Sequence, residues 1–178
     1  MPAEIRVLAI SGSLRAASSN SVLIRAAAQV APPGVVFDLF EGLADLPHFS
    51  PDLDEAGAPA VVQAFRRRLA AADAILICSP EYAHGVPGSL KNALDWIVSS
   101  GEMVDKPAGL INASARATIA QASLVDTVGM LSAVVVEAAS PVIPMTGRDL
   151  DEAGLIADPV LGPALRAAVA ALAAAARK

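Results

Sequence analysis

From Ile5 onward the chain repeats one pattern: a short, nearly continuous apolar run, a polar loop, then apolar residues at helical spacing. Ile5-Arg6-Val7-Leu8-Ala9-Ile10 is the first run and reads as a strand buried on both faces. Val22, Leu23, Ala26, Ala27 and Val30 follow at helical spacing. Beyond the break at Pro32-Pro33-Gly34, Val35–Phe40 reads as a second strand, and Val62, Phe65, Leu69 and Ala72 mark the next helix. Asp73–Ser79 is a third strand, with Leu90, Ala93, Leu94 and Ile97 on the helix after it. Ala108–Ala113 is a fourth, followed by Leu124, Val128, Leu131 and Val135 in helical phase. Val134–Met145 carries a last extended piece, whose Pro141 and Pro144 suit a sheet edge. Leu161, Leu165, Val169 and Leu172 mark a closing helix, while Glu41–Ala60 and Gly147–Pro159 read as loops. Strand and helix alternate five times, which predicts a parallel sheet with helices on both faces. No repeat or linker divides the 178 residues, so they read as one doubly wound domain, residues 1–178.

In such sheets ligands bind beyond the carboxyl ends of the strands, where the strand order reverses. That rule selects three loops: Ser11–Asn20, Pro80–Gly88 and Ala113–Thr118. The first delivers Ser11, Ser13, Arg15, Ser18 and Asn20 to a helix N-terminus. Free N–H groups and the positive end of the helix dipole sit there, suited to an anion. Arg15 adds a forked cation that matches phosphate oxygens. Ser18 and Asn20 serve equally as plain helix caps. Neither GxxxxGK[ST] nor GxGxxG occurs, so a monophosphate fits better than a triphosphate or a dinucleotide clamp.

Composition narrows the chemistry. A net charge of −5 argues against nucleic acid or an anionic membrane as partner. Two histidines and one cysteine leave little for a metal cluster or a Ser–His–Asp triad. Cys78 lies in an apolar run and reads as core. The N-terminal run MPAEIRVLAI lacks a basic region and a long apolar segment. The Ala-rich stretch Ala164–Ala176 is too short and too weakly apolar to span a bilayer. The expectation is a cytoplasmic protein without membrane insertion. Arg66, Arg67 and Arg68 read as a solvated helix face.

The second loop, Ser79-Pro80-Glu81-Tyr82-Ala83-His84-Gly85-Val86-Pro87-Gly88, is stiffened by its prolines, and its glycines allow close approach to a flat ligand. Gly12-Ser13-Leu14-Arg15 with Ser18 and Asn20, together with Ser79-Pro80-Glu81-Tyr82 and Pro87-Gly88-Ser89-Leu90-Lys91-Asn92-Ala93-Leu94-Asp95-Trp96, resembles the NAD(P)H-dependent FMN reductase family. The resemblance covers most of the chain. It implies a flavodoxin-like fold, a five-stranded parallel sheet in the order 2-1-3-4-5, with FMN as cofactor and NAD(P)H as co-substrate. It maps the phosphate loop onto Ser11, Ser13, Arg15, Ser18 and Asn20, and the ring loop onto Pro80, Glu81, Tyr82 and Ala83, with Ser114 near the ring. Ala83 stands where the family usually has Asn. His84 would compensate or face the nicotinamide entrance, and Arg116 would meet substrate or a partner subunit. Plainer roles stand beside these: Glu81 and Tyr82 satisfying backbone groups in a tight turn, His84 as loop polarity, Trp96 as core, and Lys91, Asn92 and Asp95 fixing loop to helix.

The implied activity passes hydride from reduced nicotinamide through bound FMN to a small-molecule acceptor such as a quinone, with no side-chain base required. A homodimer or homotetramer is also implied. The alternatives are an FMN reductase that releases reduced flavin, a flavodoxin-type electron carrier, and an inactive binding module. Aromatics make up only 3% of the chain, which disfavours a carrier that shields its flavin with rings.

Overall fold

Ile5–Ser11 forms β1, which pairs in parallel with β2 (Val35–Phe40) on one side and β3 (Ala74–Cys78) on the other. β4 (Pro107–Ile111) and the two-residue β5 (Val134–Val135) extend the sheet, giving the order β2-β1-β3-β4-β5. The computed structural model describes residues 4–15, 17–145 and 147–177. Met1–Ala3, part of the N-terminal run, and Ala16 of the first loop lie outside the described residues. The expected flavodoxin-like order is observed. It places the reversal between β1 and β3, where Ser11 is in register with Cys78, and Cys78 with Ile111. The three selected loops therefore leave the sheet at one level.

Alternating strand residues feed two cores, as a sheet covered on both faces requires. Val7, Ala9, Leu76 and Cys78 pack under α1 (Ser19–Gln29), α6 (Glu152–Ala157) and α7 (Leu161–Ala175). Leu8, Ile10, Ile75 and Ile77 pack under α3 (Ala60–Ala71), α4 (Gly88–Asp95) and α5 (Thr118–Met130). Trp96 is fully buried in the second core, stands edge-on to Phe49, and donates its indole N–H to Pro47 O at 2.7 Å.

Several expectations change. Val135 belongs to β5 and not to the helix before it, because α5 ends at Met130 and Ser132 turns the chain with φ 61°. Glu41–Ala60 is not bare loop: it holds a 3-10 turn, Gly42–Asp45, and α2 (Pro51–Glu55). Gly147–Pro159 contains α6, capped by the Asp151 carboxylate on Gly154 N–H at 2.7 Å. The arginine triplet is not a solvated face. Arg66 pairs with Asp54 at 2.9 Å and donates to Trp96 O. Arg68 grips Asp38 through two nitrogens and lies over the Phe40 ring. Of the triplet, Arg67 alone is exposed, and Arg66 and Arg68 are half-buried.

Candidate functional site

Three loops meet at the carboxyl ends of β1, β3 and β4, and each is shaped by side-chain bonds to its own backbone. In the first, Ser13 N–H donates to Ser11 Oγ at 3.4 Å and Arg15 N–H to Ser13 Oγ at 3.3 Å. The Ser11 and Ser21 hydroxyls are 3.0 Å apart. Ser18 is the N-cap of α1, with extended backbone, and its Oγ accepts Asn20 N–H at 3.2 Å and Asn20 Nδ2–H at 3.3 Å. Asn20 Oδ1 in turn accepts the Cys78 thiol at 3.2 Å. Burial pushes the Cys78 thiol far up, so it remains a protonated donor. Ser18 and Asn20 are both buried, and their side chains lock α1 onto β3.

Gly12 makes the next link. Its N–H bonds to Cys78 O at 2.8 Å. A Cβ at this position would lie 2.8 Å from Ser79 Oγ and 2.9 Å from Leu90 Cδ2. Glycine lets the first loop close onto the second without displacing these side chains.

In the second loop Tyr82 and Gly85 exchange two backbone bonds, at 3.0 and 2.9 Å, closing a two-residue hairpin. Its tip residues, Ala83 and His84, have φ of 48° and 62°. Two positive φ values mark a type I′ turn, which ordinarily calls for Asn or Gly. The position where the family usually has Asn is thus a backbone position of left-handed conformation. The tip stands in solvent: Tyr82, Ala83 and His84 are all exposed. Glu81 faces the other way, and its carboxylate accepts Ala120 N–H at 2.8 Å, at the start of α5.

The third loop is folded by Asn112, a buried residue at the end of β4. Its Oδ1 accepts Ser114 N–H and its Nδ2 donates to Ala117 O, both at 2.9 Å. A lone Asn closing an apolar strand was the sequence signal for this clamp. No such signal exists for Cys78 as a donor, because its partner comes from another element.

The candidate residues divide between two hollows. A cavity of about 310 Å³ is lined by Ser19, Asn20, Pro80, Glu81, Ser114 and Arg116, among others, and gathers all three loops. A cleft of about 320 Å³ lies toward β2 and takes in Ser11, Ser13 and Arg15. Ser18 lines neither, and Tyr82, Ala83 and His84 stand beyond the cavity. The donor set suits a phosphorylated, flat polar ligand such as FMN. The N–H groups of Leu14, Ser18 and Ser19 find no acceptor among the described residues. Arg15 and Arg116 pair with no carboxylate there either. Unpartnered donors at a helix start are what a phosphate requires.

Residues 5–147 match the family described as NADPH-dependent FMN reductase. The chain is 40% identical over 117 residues to an NAD(P)H-dependent FMN reductase of Pseudomonas aeruginosa, covering 65% of this chain but only 63% of that relative. A 2-hydroxy-1,4-benzoquinone reductase of Burkholderia is 40% identical over 126 residues, covering 67% of this chain and 68% of its own. In three dimensions the chain is similar to FerB, a flavoenzyme NAD(P)H:(acceptor) oxidoreductase from Paracoccus denitrificans, with a TM-score of 0.86, 30% identity and 97% of both chains covered.

Proposed function

The chain belongs to the NADPH-dependent FMN reductase family, and we propose that it is an FMN-containing oxidoreductase that uses NAD(P)H to reduce quinones or similar acceptors. The observation that carries this is the convergence of three loops on one cavity at the β1/β3 reversal, lined by Ser19 and Arg116, whose donors are unpartnered among the described residues, with Leu14 and Arg15 on the neighbouring cleft. When bound, FMN supplies the hydride-relay chemistry between reduced nicotinamide and acceptor.

The chain's own residues bind and position. The α1 N-terminus, with Arg15 on the neighbouring cleft, would hold the phosphate. Pro80 and Glu81 would wall the ring on one side and Ser114 on the other. Asn112 and Glu81 keep those walls in place through backbone bonds.

The proposed assembly is a homodimer or homotetramer; α5 exposes the apolar side chains of Ile119, Val125 and Met130. No described helix is long and apolar enough to cross a membrane. The free buried thiol of Cys78 suits a reducing compartment, and the proposed location is the cytoplasm. The test is NAD(P)H oxidation by the protein carrying stoichiometric FMN, with and without a quinone. Quinone-dependent oxidation is expected. Turnover only in excess free FMN would identify a flavin-releasing reductase instead.

A further inference from the structure

Arg116 is the only cation lining the three-loop cavity among the described residues. Its backbone is fixed: its N–H donates to Ser114 Oγ at 3.3 Å, and its carbonyl accepts Thr118 N–H at 3.0 Å. The residue itself is exposed, and no carboxylate among the described residues pairs with it. The one acid lining the cavity, Glu81, is bonded to the first turn of α5, whose positive end offsets its charge. The other lining residues are neutral. Arg116 is thus the one cation on the cavity, with no ion-pair partner among the described residues, while the one acid is held at α5, on a protein of net charge −5 whose wider field repels anions.

We propose that Arg116 makes this site select electron acceptors that bear an anionic group, with ionised or sulfonated quinones as the class. The inference rests on the quinone-reducing reading of the cavity and adds the acceptor's charge to it. A forked guanidinium meets two oxygens of a sulfonate or an enolate oxygen through charge-assisted bonds. An uncharged quinone gains nothing from it. The reaction is the same for both: a hydride from the nicotinamide and a proton from solvent convert the quinone to its hydroquinone.

The experiment compares 1,4-naphthoquinone with 1,4-naphthoquinone-2-sulfonate as acceptors for the FMN-saturated protein. The ratio of kcat/KM for the sulfonated over the neutral quinone is measured in the unmutated protein, Arg116→Gln and Arg116→Glu. The ratio is expected to fall about three- to fivefold in Arg116→Gln, the scale of a partly exposed charge pair. It should fall further in Arg116→Glu, and in the unmutated protein it should shrink as salt is raised. An unchanged ratio in both variants overturns the proposal, even if both rates drop together. No turnover of either quinone by the unmutated protein overturns the quinone-reducing reading itself.

Discussion

The carboxylate of Glu81 accepts the backbone N–H of Ala120 at 2.8 Å, so the loop after β3 caps the helix that follows β4. The residue that should cap α5 from its own chain, Ala117, has no side-chain acceptor. One bond thus satisfies an orphan helix donor and fixes the separation of the two loops that frame the cavity. Glu81→Ala is expected to lower stability by about 1 kcal/mol, the usual worth of a cap. It should also weaken FMN and riboflavin binding alike, because the framing walls move. Glu81→Gln keeps an oxygen acceptor and should lose less of both. Urea unfolding and flavin fluorescence titration read the two effects.

Gly12→Ala places a methyl within 3 Å of both Ser79 Oγ and Leu90 Cδ2. Overpacking of this kind costs about 1–3 kcal/mol. The methyl displaces these two side chains at the seam between the first and second loops, so FMN affinity should collapse while far-ultraviolet circular dichroism is retained. Adding Ser79→Gly removes the side chain that meets the methyl on one side, and partial recovery of FMN binding is the expected result.

Ala83 sits at φ 48°, where an alanine side chain is disfavoured and asparagine is tolerated. Ala83→Asn should raise the urea midpoint, with a gain of about 0.5–1 kcal/mol. A lowered midpoint would show that the tip adopts another backbone conformation.

Acid should destabilise the fold in a defined window. The Arg68 guanidinium holds Asp38 below the usual carboxylate range, and Arg25 does the same for Glu152. The N–H groups of Leu161 and Val160 hold Asp158 down, at the start of α7. Each group binds fewer protons folded than unfolded. Their contribution is therefore complete above an unfolded pKa of about 4 and is lost as pH falls through the lower folded values. Urea midpoints measured from neutrality downward should hold steady and then drop below about pH 4. Asp158→Asn should make that drop shallower.

Arg15 stands exposed at the first loop, with no carboxylate partner among the described residues. Arg15→Ala should weaken FMN by about 1.5–3 kcal/mol, the worth of a charged hydrogen bond, and leave riboflavin affinity unchanged. Equal affinity of the unmutated protein for FMN and riboflavin would contradict a phosphate role for this loop.

The first four strands and the three loops were legible because each of those strands is an apolar run ended by a polar residue, and Val35–Phe40 matches its expected bounds to the residue. The strand order came from the family resemblance, and β5 is only two residues of the expected Val134–Met145. What was illegible depends on groups far apart in sequence. Arg66 and Arg68 looked solvated because Trp96 O and Asp38 lie about thirty residues away. The hairpin at Ala83 and His84 was hidden because neither residue belongs to the Asn-Gly signature of such turns. α6 did carry a readable signal, an Asp at the N-cap and a Glu after it, in Asp151-Glu152. The capping role of Ser18 was one of two readings its sequence allowed, and its Oγ does accept the Asn20 N–H.

Everything functional here depends on FMN binding where the three loops converge. The direct test is a titration of flavin-free protein with FMN, followed by quenching of flavin fluorescence and by the visible spectrum of the protein after gel filtration. The account predicts saturable binding of one FMN per chain, lost in Gly12→Ala and weakened in Arg15→Ala. A correctly folded protein that stays colourless and leaves FMN fluorescence unquenched would contradict it.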